Sequence, residues 1–131
     1  MIGQSVVMPV NASREGHGRR AGIRQGRADA IVNACVMSAF DVSTEEIALE
    51  SRGPAPVALA RQVAMYLHHV ELRQSLTEVA SRFGRDRTTV AHACRTVEDR
   101  RDDPAFDGFI GALEAAIRSA RALLPGARSG A

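Results

Sequence analysis

Apolar residues recur every three or four positions through the second half of the chain, and the pattern is sharpest between Ser75 and Arg101. Leu76, Val79 and Phe83 share one face at helical spacing. Further on, at about 100° per residue, Val90, Ala93, Cys94 and Val97 cluster on one side of a second helix. Thr88, His92 and Arg95 cluster on the other side, with Arg87 and Ala91 on the flank. Ser75 and Glu78 have the spacing of a capping box, and Asp86 can cap the second helix. Phe83-Gly84-Arg85 supplies the tight turn between the two. A short helix, a glycine-containing turn and an amphipathic second helix outline a helix-turn-helix.

The same periodicity predicts the flanking elements. Residues 28–40 read as a helix with Ile31, Val32, Cys35, Val36 and Ala39 inward, and Asp29 near its N-terminus. Ser43 and Glu46 form another capping box, opening a short helix to about Glu50 with Ile47 inward. Ser51 to Pro56 is a loop, because two prolines and a glycine exclude a continuous helix. From Val57 to about Leu72 a longer helix carries Leu59, Val63, Tyr66, Leu67 and Val70 as its stripe, leaving Arg61, Gln62 and His69 largely elsewhere. Asp103 caps a last helix with Pro104 at its first position. That helix is expected to reach about Leu123, with Phe106, Phe109, Ile110, Leu113, Ile117 and Ala120 as its stripe.

The pattern contains no internal repeat and no strand signal. It predicts an all-α, compact bundle of about six helices built around the helix-turn-helix. Residues 1–27 read as a disordered basic arm, 28–123 as the folded domain and 124–131 as a flexible tail.

Composition narrows the chemistry. Aromatics are 4% and Trp is absent, so Ala, Val, Leu and Ile must do most of the packing. The net charge is only +2, but it is unevenly spread. Residues 1–27 carry +4, residues 28–72 carry −4, residues 73–101 carry +3 and residues 102–131 carry −1. Positive charge thus gathers in the arm and the motif, where a polyanion would be met, although a solvated mixed surface accounts for the charge equally well. All seventeen basic residues are Arg, able to make forked contacts to phosphate or guanine.

Cys35 and Cys94 are the only cysteines, and both fall on inner helix faces, as buried thiols in a reducing compartment would. No apolar run approaches the roughly 18 residues of a membrane span, and the start lacks a basic signal region. A cytoplasmic protein is expected. Adjacent His68 and His69 diverge on a helix and read as a surface pair rather than a metal site. No nucleophile–base–orienter set is visible, so neither an enzyme nor a cofactor is expected.

Arg61-Gln62 and the run Gly84-Arg85-Asp86-Arg87-Thr88-Thr89-Val90-Ala91-His92-Ala93-Cys94-Arg95 carry a family resemblance. They resemble the C-terminal DNA-binding domain (domain IV) of the bacterial chromosomal replication initiator DnaA, whose signature is near GGRDHTTVxHAxRxIE. The resemblance covers about residues 28–120. It implies a helical bundle of the Trp-repressor and domain IV type that binds double-stranded DNA at DnaA-box-like sites. By position it implies base contacts in the major groove from Asp86, Arg87 and Thr88. It implies phosphate contacts from Arg61, His69, Arg85, Thr89, His92 and Arg95, and from the backbone amides of Leu76 and Thr77, which open a helix. Arg52 falls in or beside the loop that sends an arginine into the minor groove.

Three departures stand out, one being that Gly53-Pro54-Ala55-Pro56 replaces a usually more basic loop, which implies a weaker minor-groove contact. Arg87 replaces the family's His and favours guanine edges or phosphate. One glycine is missing before Arg85. No GxxxxGK[ST] motif and no Lys occurs, so a stand-alone, nucleoid-associated relative of domain IV without nucleotide or ATPase is expected, and as a monomer. It would modulate replication initiation or transcription by competing with DnaA or assisting it. Two alternatives stay open: an interaction module that binds DnaA or another replication protein with residual DNA affinity, and a transcription regulator with its own sites.

Overall fold

A computed structural model of the chain describes residues 19–43, Ile47 and residues 55–125. Five helices run through the described residues: α1 (Arg19–Phe40), α2 (Ala55–Val70), α3 (Leu76–Phe83), α4 (Arg87–Arg100) and α5 (Pro104–Arg121). No strand occurs among the described residues, so the fold class is all-α as the periodicity predicts. The short helix expected over residues 43–50 lies outside the described residues apart from Ser43 and Ile47; Ile47 is helical and buried.

Helix α2 is the centre of the bundle. It packs against α1, α3 and α4, while α1 also packs against α5 and α3 against α4. The core is built from Val32 and Val36 of α1, Val63, Ala64, Met65 and Leu67 of α2, Val79 of α3, Val90 and Val97 of α4, and Ile110 and Ile117 of α5. Each large aliphatic side chain taken fully out of water here contributes roughly 1.5–3 kcal/mol.

Because three helices surround α2, its buried surface extends well beyond a single stripe. Arg61 and His68, expected on its outer side, are 7% and 1% exposed, whereas Val70, expected inward, is 39% exposed. His68 therefore belongs to the core and is not half of a surface pair. Its Nε2 donates to Asn33 Oδ1 at 3.0 Å, and its ring meets Phe83 edge-on at 5.2 Å.

Helix α1 departs from expectation in its start. It begins at Arg19 rather than near residue 28, because the apolar period marks only the part of a helix that is covered. Asp29 consequently lies in mid-helix and not at an N-terminus, and Ala39 is exposed. Residues 1–18 of the expected arm and 126–131 of the expected tail lie outside the described residues.

The turn within the motif follows local chemistry, and the turn after it is held by longer-range bonds. Gly84 adopts φ 64°, and the amides of Arg85 and Gly84 donate to the carbonyls of Ala80 (2.9 Å) and Ser81 (3.4 Å). A side chain at this left-handed position would cost about 1 kcal/mol. At the far end of α4, Arg101 bonds Asp107 (2.6 Å), Tyr66 Oη (3.0 Å) and Glu114 (2.9 Å). These bonds tie the α4–α5 turn to α2, and the two carboxylates raise the guanidinium pKa.

Candidate nucleic-acid interface

Helix α4 divides cleanly between two environments. Val90, Ala93, Cys94 and Val97 are buried against the bundle, while Asp86, Arg87, Thr88, Thr89, His92 and Arg95 are all exposed. Ala91 is half-buried between them. Burial pushes the Cys94 thiol up to about 11, with Glu98 adding to the shift, so this face holds a neutral, inert thiol. The outer face offers short Thr side chains and polar tips around the first two helical turns. Such a surface admits close approach of a flat polar partner, as the floor of a DNA major groove requires.

The start of α4 differs from an ordinary helix start. Asp86 occupies the N-cap in extended conformation (φ −77°, ψ 154°), yet its side chain makes no capping hydrogen bond. Only the backbone carbonyl serves the helix, accepting from Thr89 (3.0 Å) and Val90 (3.2 Å). Arg87 follows in the first turn, which holds no acidic residue, so Asp86 at the N-cap is the one acidic group at this helix end. A cation there works against the helix dipole and favours an anion nearby.

Helix α2 carries a buried arginine. Arg61 Nε donates to the Ile47 carbonyl at 2.9 Å, which fixes the direction of the buried guanidinium. Its pKa is lowered by burial and then by the charge of Arg85. Arg85 itself is half-buried in the turn.

The preceding helix contributes in a different way. At α3, Ser75 Oγ accepts from the Glu78 amide (3.0 Å) and Glu78 Oε1 accepts from the Ser75 amide (2.7 Å). This capping box leaves the amides of Leu76 and Thr77 outside it; Leu76 is half-buried and Thr77 exposed. His69 is half-buried, and its Nδ1 donates to the Gln74 carbonyl at 2.7 Å. Arg52 lies outside the described residues.

Not all the basic charge of residues 73–101 faces outward. Arg82 pairs with Asp29 at 3.2 Å, and Arg101 pairs with Asp107 and Glu114. The run of basic residues overstated the surface charge because its partners lie on α1 and α5. Gln74 was missed by the sequence reading; a buried Gln just ahead of an N-cap gives no periodic signal.

The family model described as bacterial dnaA protein helix-turn-helix matches residues 29–97, over half of the chain and all of α2, α3 and most of α4. The chain belongs to this family. Among its DnaA relatives, the chromosomal replication initiator protein DnaA of Desulfotalea psychrophila is 33% identical over 91 residues, covering 70% of this chain and 19% of the relative. The protein of the same name from Symbiobacterium thermophilum is 37% identical over 92 residues, covering 69% of this chain and 20% of the relative. That of Bordetella pertussis is 53% identical over 51 residues, covering 38% of this chain and 11% of the relative. The chain spans about a fifth of the length of the first two DnaA relatives. No helix among the described residues is long and apolar enough to cross a membrane.

Proposed function

We propose that this protein binds double-stranded DNA at DnaA-box-like sites, with the N-terminal turns of α4 in the major groove. Membership of the DnaA helix-turn-helix family supports DNA as the ligand. The observation that carries the reading is the exposed, uncapped start of α4. Asp86 has a carboxylate that accepts from no helix amide, beside Arg87 and Thr88. In this reading Asp86 accepts from a cytosine amino group, Arg87 meets a guanine edge or phosphate, and Thr88 packs on a thymine methyl. Thr89, His92, Arg95 and Arg85, with the Leu76 and Thr77 amides, meet the backbone and set the register. Arg61 and His69 meet it from α2.

Binding at such sites would place the protein in competition or cooperation with DnaA, modulating replication initiation or transcription. The test is a titration of the whole chain against a DnaA-box duplex and a scrambled duplex at two salt concentrations. Groove reading predicts tighter binding to the box, with a salt dependence that counts the neutralised phosphates. Equal and salt-independent binding to the two duplexes would reject the reading. Binding to DnaA protein without binding to either duplex would favour an interaction module instead.

A further inference from the structure

Asp29, on α1, gathers groups from the motif side of the bundle. Its Oδ1 accepts from Gln74 Nε2 at 2.7 Å, and its Oδ2 faces Arg82 Nε at 3.2 Å. The same Oδ1 lies 3.5 Å from Nδ1 of buried His68. Gln74 immediately precedes the N-cap Ser75, and Arg82 stands in the last turn of α3. One carboxylate therefore holds both ends of an eight-residue helix about 12 Å long. Gln74 is itself 4% exposed, and its backbone continues the linkage: its carbonyl accepts from His69 and its amide donates to the His68 carbonyl at 3.3 Å.

Helix α3 needs such ties more than α4 does. Eight residues are too few for a helix to stand alone in water, and the only fully buried side chains of α3 are Val79 and Ala80. Helix α4 has four buried side chains over fourteen residues. Its seat on the bundle is apolar, and it packs on α2 as well as on α3. The charge-assisted bond from Gln74 is strong and directional, and the Arg82 ion pair adds attraction at the other end of the helix, so the Asp29 contacts fix where α3 lies on the bundle.

We propose that Asp29 is a positioning residue for the phosphate-facing side of the motif, an inference that rests on the DNA-binding reading above. Through Gln74 and Arg82 it sets the stance of the Leu76 and Thr77 amides, and through the Gln74 carbonyl it orients the His69 ring. It touches no DNA itself. Loosening α3 should weaken backbone contacts while leaving base reading by α4 intact.

The experiment compares the wild-type chain with Asp29→Ala, Asp29→Asn and Gln74→Ala in salt-dependent titrations against box and scrambled duplexes. Thermal melts identify a temperature at which each protein is folded. Asp29→Ala should lose about tenfold in affinity for both duplexes alike, with a log–log salt slope shallower by about one. Asp29→Asn keeps the bond to Gln74 and should lose less. Wild-type affinity and slope in a folded Asp29→Ala would overturn the proposal, and so would a loss confined to the box duplex. If Asp29→Ala does not fold, Gln74→Ala decides by the same two readings. A wild-type chain that binds neither duplex rejects the DNA-binding reading itself, a result separate from any variant.

Discussion

Three described helices open on a side chain of the capping type, and one of them behaves differently. Ser75 and Asp103 both place a side-chain oxygen on the helix, accepting from Glu78 and Phe106 at 3.0 Å. Asp86 holds the same position and the same extended backbone, but its carboxylate accepts from no helix amide. The first two helix starts are spent on stability, each typically contributing about 1 kcal/mol. At α4 that stabilisation is forgone, at the one helix start followed by Arg87, Thr88 and Thr89. The proposed function assigns that carboxylate to the DNA.

Substitutions can break this comparison. The largest effect is expected from Asp86→Ala, which should lower discrimination between box and scrambled duplexes by about 1–3 kcal/mol. Chemical unfolding of the same variant should move by less than about 0.5 kcal/mol. A stability loss near that of a removed cap would show that the carboxylate serves the helix after all. Thr88→Ala should lower discrimination at a single base pair by about 1 kcal/mol, read from a panel of duplexes each changed at one position. Arg87→His should move the preferred base at its position toward that of the family's signature; an unchanged preference would leave Arg87 on phosphate only.

Ser75→Ala and Asp103→Ala should each cost about 1 kcal/mol in denaturant unfolding, with the ratio of duplex affinities unaltered in the folded protein. The smallest effect, about 0.5 kcal/mol, is expected from Glu78→Ala, which removes only the returning arm of the capping box. A Glu78→Ala loss equal to that of Ser75→Ala would mean that the two arms act as one unit.

The parts of the molecule that could be read from sequence are those fixed by neighbours along the chain. The two faces of α4, the Ser75–Glu78 box, the Gly84 turn and the Asp103-Pro104 start all depend on residues within a few positions of one another. His68 could not be read this way, because its partners Asn33 and Asp29 lie on α1. Arg61 is buried against a backbone carbonyl at Ile47, which no pattern of side chains reveals. The start of α1 at Arg19 was equally hidden, since a helical stretch with Gly and Arg carries no apolar period. At the proposed interface, sequence located the exposed residues of α4 but could not tell that Asp86 would leave its cap unmade. Nor could it show that Arg82 and Arg101 are spent on ion pairs within the bundle.

The most direct test is an NMR titration of the isotope-labelled 14.0 kDa chain with a DnaA-box duplex, following backbone amides. The account predicts that shifts concentrate at Leu76, Thr77 and Arg85 to Thr89, extend to His92 and Arg95, and leave Pro104–Arg121 unmoved. Shifts centred on α5, or none at all, would contradict it.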